Sequence, residues 1–66
     1  MKNNLKVQRA VLNMTQADLA ERINVSRQTI NSIESGKYVP STVLALKMAQ
    51  VFGVPVDCIF VLDETD

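Results

Sequence analysis

Apolar residues recur along this chain at helical spacing, and short polar punctuation breaks the rhythm every ten or so positions. The pattern is clearest from Thr15 to Ser35, TQADLAERINVSRQTINSIES. Ala17, Leu19, Ala20 and Ile23 supply the apolar positions of one helix, and Ile30 and Ile33 those of the next. Thr15 with Asp18 three residues on is the pattern of a helix start, and Ser26 is a second N-cap. Asn24 stands between them, a residue that tolerates the left-handed conformation ending many helices, and Gly36 stands where such a residue would end the second helix. Helices this short are not stable alone in water, so the two must pack. Ala20 is small enough for the second helix to cross closely, bringing Val25, Ile30 and Ile33 onto Leu19 and Ile23.

The flanking pattern predicts three more helices. Residues 3–12 read as the first, with Asn3 or Asn4 as N-cap and Leu5 and Leu12 on one face. Ser41 caps TVLALKMAQVF, where Leu44, Met48 and Val51 fall at i, i+4 and i+7, and Gly53 stops it. Pro55 opens a short fifth helix, VDCIF, whose Ile59 and Phe60 return to the core. Val61 and Leu62 form a short extended segment, and the acidic DETD tail frays. The expected fold is all-α, a compact five-helix arrangement with that extended C-terminal segment, in one domain over residues 1–66. Val54, Val56, Ile59, Val61 and Leu62 are more apolar surface than one small domain readily buries, which marks 54–62 as a dimer seam. Cys58 within it reads as a small buried hydrophobe.

Size sharpens the case for association. A chain of 66 residues buries only about 60% of its unfolded surface. One cysteine cannot form a disulfide within the chain, and with no histidine nothing suggests a metal site or a cofactor, leaving oligomerisation as the common support. The same absences, with no glycine-rich phosphate loop, leave no catalytic constellation, so no enzyme is expected. There is no signal-peptide core and no long apolar run, and the expected setting is the reducing cytoplasm, with no membrane partner. Net charge is zero but polarised. Residues 1–40 carry Lys2, Lys6, Arg9, Arg22, Arg27 and Lys37 against Asp18, Glu21 and Glu34, a net +3. Residues 41–66 carry Lys47 against Asp57, Asp63, Glu64 and Asp66, a net −3. A basic half can meet phosphates while the acidic half stays away from them.

The side of the second helix opposite Ile30 and Ile33 carries Arg27, Gln28, Asn31, Ser32 and Ser35. Arg suits guanine, Gln and Asn suit adenine, and Ser suits either. Any solvated helix face is polar, but the paired caps, the small Ala20 and the interrupting Asn24 favour a nucleic-acid surface. Lys37 and Tyr38 follow in a loop before Pro40 and are natural phosphate partners, although Tyr38 equally suits the edge of the core.

The string SRQTINSIESGKYVPS, within 15–35 and just beyond, resembles the helix-turn-helix of the phage repressor and Cro superfamily, the XRE family. The likeness runs from Leu5 to Phe60 and is greatest to small single-domain bacterial regulators. It implies a lambda-repressor-like fold binding double-stranded DNA as a homodimer, reading half-sites of a near-palindromic operator about 34 Å apart and acting as a repressor. On this reading Arg27 and Gln28 contact bases first and Asn31 and Ser32 next, while Gln16, Ser26, Thr29, Ser35, Lys37 and Tyr38 hold the DNA backbone. The resemblance also implies that Gln16 braces a recognition-helix side chain, and that Arg9 forms a partly buried ion pair with Glu34. Gln8 departs from the family, which usually has an aliphatic residue there, and Val7 and Val11 lie on a face that is usually more polar. That strip leaves open a second protein as partner, and with it the alternative of an antitoxin-like or anti-regulator interaction module.

Overall fold

A computed structural model describes residues 1–66. In order the elements are β1 (Lys2–Asn3), α1 (Leu5–Val11), α2 (Gln16–Arg22), α3 (Arg27–Glu34), α4 (Thr42–Phe52), a single 3-10 turn (Val56–Cys58) and β2 (Phe60–Val61). Four helices and a two-stranded sheet replace the expected all-α, five-helix arrangement. The segment after Pro55 makes one tight turn and then runs extended, because its next residues pair with the start of the chain instead of continuing a helix. Lys2 lies opposite Val61 and Asn3 opposite Phe60 in antiparallel register, and the Asn4 N–H extends the ladder to the Ile59 carbonyl at 3.0 Å.

The helix starts follow their caps. Thr15, Ser26 and Ser41 are extended residues whose hydroxyls accept from the N–H three residues on, at Asp18, Thr29 and Leu44. The first helix differs. Asn4 occupies its N-cap position without a side-chain bond, while Asn3 accepts from the Leu5 N–H at 3.2 Å and donates to the Ile33 carbonyl at 2.9 Å.

All four helices end the same way. Asn13, Asn24, Gly36 and Gly53 follow the last turns in the left-handed region, with φ between 55° and 79°. The next N–H then reaches back to the last turn: Met14 to Arg9, Val25 to Ala20, Lys37 to Ser32 and Val54 to Ala49. This closure satisfies carbonyls that a helix end leaves without partners.

The core consists of Leu5, Leu19, Ala20, Ile23, Ile30, Ile33, Met48, Phe52, Ile59 and Phe60. Every helix contributes, and Ile59 and Phe60 close it beneath the strand pair. Fully burying a side chain such as Leu19, Ile30 or Met48 contributes about 1.5–3 kcal/mol. Leu44, Val51 and Val25 pack at the margin. Leu12 is about half exposed, because α1 ends at Val11 and the turn carries Leu12 away from the face of Leu5. Two residues of the 54–62 segment stand elsewhere than expected. Cys58 is exposed on the 3-10 turn, and Ile59, expected at a dimer seam, is fully enclosed within its own chain. No helix is long and apolar enough to cross a membrane.

Candidate nucleic-acid interface

The site rests on the junction of α2 and α3. Thr15 and Asp18 cap α2 reciprocally: the Asp18 N–H donates to Thr15 Oγ1 at 3.0 Å, and the Thr15 N–H donates to Asp18 Oδ2 at 3.0 Å. Those bonds favour the ionised carboxylate and hold Asp18 below its ordinary pKa. Asn24, at φ 60°, turns the chain, and Ala20, only 3% exposed, lets α3 cross α2 closely. Ser26 then starts α3, its Oγ accepting from the Thr29 N–H at 3.1 Å and lying 2.9 Å from the Thr29 hydroxyl.

Burial orients α3. Ile30 and Ile33 are enclosed, so the opposite side faces outward. Arg27, Gln28, Asn31 and Ser35 are exposed on it, with Thr29 and Ser32 half-buried at its margin. At the far end the Ser32 carbonyl accepts from the Lys37 N–H at 2.9 Å, the Tyr38 N–H at 3.2 Å and the Ser35 hydroxyl at 3.1 Å. This closure, with Gly36 at φ 79°, folds Lys37 and Tyr38 back beside the helix. Ser26, Gln28, Thr29, Ser32, Lys37 and Tyr38 together line a shallow open groove of about 350 Å³. Arg27, Asn31, Gln16 and Ser35 lie outside that groove. Tyr38 is half exposed and also lines a small cavity with Ile33, Pro40 and Phe60, so it spans both roles open to it from sequence.

A polar network ties α3 to the helices before it. Arg9 Nε donates to Glu34 Oε2 at 2.6 Å and Arg9 Nη2 to Glu34 Oε1 at 3.0 Å, a two-pronged pair with side chains 13% and 10% exposed. Arg9 Nη1 also donates to the Met14 carbonyl at 2.9 Å. The Glu34 carboxylate holds the guanidinium pKa above its ordinary value. Gln16 joins from the first turn of α2: its Nε2 donates to Glu34 Oε1 at 3.2 Å and lies 3.4 Å from Asn31 Oδ1. The resemblance implies that Gln16 braces a side chain of α3, but that this is Glu34 had no signal in the sequence, nor had the tether from Asn3 to the Ile33 carbonyl, since neither spacing nor periodicity relates residues so far apart.

The apolar surface of the C-terminal half divides. Val54 is half-buried against the core, while Val56, Val61 and Leu62 are exposed, Leu62 to 75%. Leu46 and Val43 on α4 add exposed apolar surface that helical periodicity alone left unassigned. An open trough of about 450 Å³ runs past Leu46, Ala49, Val54, Pro55 and Val56.

Comparisons with known proteins bear on this geometry. Residues 5–57 match the family model HTH_3, described as helix-turn-helix. The chain is 53% identical over 66 residues to an uncharacterised HTH-type transcriptional regulator of Methanocaldococcus jannaschii, covering the whole of both chains. It is 44% identical over 64 residues to the uncharacterised HTH-type transcriptional regulator YgzD of Bacillus subtilis, covering 97% of each. Among solved structures it resembles a transcriptional regulator from Listeria innocua with a TM-score of 0.73. That alignment covers 96% of this chain and 64% of the other at 17% identity, a likeness of fold.

Proposed function

The chain belongs to the helix-turn-helix family, and from that premise we propose that it is a sequence-specific, double-stranded-DNA-binding transcription regulator. It acts as a homodimer that represses by covering a near-palindromic operator, and it works in the cytoplasm. One observation carries the reading: α3 is pinned by Ile30 and Ile33 and turns Arg27, Gln28 and Asn31 outward, beside a groove that Lys37 and Tyr38 complete. A helix held by one face and armed with base-complementary side chains on the other fits a major groove. The relatives' description as HTH-type transcriptional regulators supports the same assignment.

Within this reading Arg27, Gln28, Asn31 and Ser32 contact base edges. Ser26, Thr29, Lys37 and Tyr38 hold phosphates, as do Gln16 through its main-chain N–H in the first turn of α2 and Ser35 through its exposed end-of-helix position. The amino-terminal ends of α2 and α3 add the favourable field that helix starts offer to anions. Two copies associate through Val54, Val56, Val61 and Leu62. Ile59, enclosed in its own chain, supports that surface from beneath.

Selection of bound sequences from a pool of random duplexes tests this directly. An enriched inverted repeat is the expected result, and enrichment of a lone half-site would remove the dimer. Gln28→Ala should lose about 1–3 kcal/mol on the selected site and relax preference at one base pair. Lys37→Ala should weaken all sequences alike and lower the salt slope by about one unit per subunit. If both variants shifted every sequence equally, the division into reading and anchoring residues would be wrong.

A second reading has one observation in its favour. Val7 and Val11, four residues apart on α1, are 59% and 72% exposed. An antitoxin-like or anti-regulator module would use such a strip to hold another protein. Absence of any enriched duplex at low salt would move the assignment there.

A further inference from the structure

The Glu34 side chain is only 10% exposed, and its carboxylate stands at the centre of the polar network behind α3. A carboxylate only accepts hydrogen bonds. The Gln16 amide therefore has to turn its NH2 group toward Glu34 Oε1, 3.2 Å away. The same nitrogen faces Asn31 at 3.4 Å, and it meets the Asn31 side chain at Oδ1. An amide whose oxygen is turned inward presents its NH2 outward. Asn31 is the exposed end of this series, on the solvent side of α3 one turn after Arg27. Arg9 locks the other end, since its guanidinium donates to both carboxylate oxygens at 2.6 and 3.0 Å and to the Met14 carbonyl at 2.9 Å.

We propose that Glu34, acting through Gln16, is a positioning residue that sets the direction of the Asn31 amide, so that Asn31 offers two donors and selects guanine. Guanine presents two adjacent acceptors, N7 and O6, in the major groove, whereas adenine pairs a donor with an acceptor and asks an asparagine for both its oxygen and its nitrogen. With the oxygen of Asn31 directed at Gln16, guanine is the better complement. This inference rests on the DNA-binding reading above.

Glu34→Gln keeps the shape of the side chain and removes the constraint. Both carboxylate oxygens accept from Arg9, and Oε1 accepts from Gln16 as well, so an amide sets its NH2 against an Arg9 donor whichever way it turns. Gln16 is then no longer obliged to present its NH2, the direction of Asn31 is no longer imposed, and adenine or cytosine competes with guanine at that pair.

The test is selection from random duplexes by the wild-type protein and by Asn31→Ala, Gln16→Ala and Glu34→Gln, each checked for folding by thermal unfolding. Asn31→Ala identifies the base pair concerned by relaxing preference there. Expected at that pair are guanine for the wild type and a loss of about tenfold in guanine discrimination for Gln16→Ala, with a partial loss of the same discrimination for Glu34→Gln and other positions unchanged. A purely structural role would lower binding to all sequences alike, and that outcome, or a wild-type preference for adenine at the pair, overturns the proposal. Gln16→Ala leaves the Arg9–Glu34 pair intact, so it decides the matter if Glu34→Gln does not fold. Should the wild type enrich no duplex, the DNA-binding reading fails by itself. The relay is then judged in the free protein from the ¹⁵N side-chain amide signals of Asn31, which should shift in Gln16→Ala and which overturn the relay if they do not.

Discussion

Arg9 is the most consequential single side chain away from the exposed face of α3. It sits on the inward stripe of α1, where an unpaired charge would be costly, and meets Glu34 in a two-pronged pair with both side chains nearly enclosed. Glu34→Ala leaves the guanidinium with only the Met14 carbonyl. We expect it to destabilise the protein by about 2–3 kcal/mol in denaturant titrations, slightly below the range for a fully enclosed pair because the pair is near the rim. The double change Arg9→Met with Glu34→Leu should recover most of that loss, since removing both charges removes the penalty along with the attraction. A loss under about 0.5 kcal/mol for Glu34→Ala would show that water already solvates Arg9. Sequence alone could mark Arg9 as a charge in need of a partner, because its place on an apolar stripe is a local property. It could not mark Glu34 as the α3 side chain that Gln16 braces, because that depends on how closely α2 and α3 cross.

At the level of elements, the starts and stops were far more legible than the short pieces between them. Thr15, Ser26 and Ser41 cap by bonding to an N–H three residues away, which is information carried entirely by adjacent residues. Asn24, Gly36 and Gly53 likewise announced their left-handed turns, while Asn13, with φ 55°, stood between the apolar Leu12 and Met14 and did not. The strands have two residues each, too few for any alternation to appear, and their pairing joins opposite ends of the chain. The fifth helix failed for the same reason: VDC makes one turn, and the competing partners for the following residues, Lys2 for Val61 and Asn3 for Phe60, lie at the other end of the chain. Two predictions belong to these termini. Asn24→Ala should cost about 1 kcal/mol by forcing an ordinary side chain into the left-handed region, whereas Asn24→Gly should be neutral or stabilising, measured by thermal unfolding. Acid should loosen the α2 cap and the C-terminal turn. Asp18 is held below its ordinary pKa of 3.8 by the Thr15 N–H and hydroxyl, and Asp63 is lowered to about 2 by the Thr65 hydroxyl and N–H and by the Met1 amino group. In both cases the unfolded chain binds the proton more tightly, so the stabilisation is present above the ordinary pKa of 3.8 and is lost as pH falls below it, for Asp63 toward about 2. Melting temperature followed across that interval should fall less steeply in Asp18→Asn and Asp63→Asn than in the wild type.

For the whole molecule the decisive question is what covers the apolar surface that one chain leaves bare. The chain exposes 4475 Å² in all, and Val43, Leu46, Val56, Val61 and Leu62 all contribute apolar area on or after α4. A stable pair needs roughly 600 Å² or more from each partner, and burial at about 25 cal/mol per Å² of apolar area makes side chains such as Leu62 the natural drivers. The charge separation points the same way, since the acidic 41–66 half suits a position away from DNA and the basic 1–40 half a position toward it. Leu62→Asp separates these ideas from folding. Leu62 is 75% exposed, so an aspartate there costs the isolated chain little, but in a seam it would bury a charge opposite its own symmetry copy. Sedimentation should therefore show a folded monomer with an unchanged circular dichroism spectrum. Affinity for an inverted repeat should fall by about a hundredfold or more while binding to a single half-site persists, because each half-site contact set stays intact and only the linkage between them is lost. Ile59→Asp is the matching control: Ile59 is fully enclosed in its own chain, so that change should unfold the protein and not merely divide it. A Leu62→Asp protein that still sediments as a dimer would place the seam elsewhere, and the trough beside Leu46 and Val56 on α4 would be the next surface to charge.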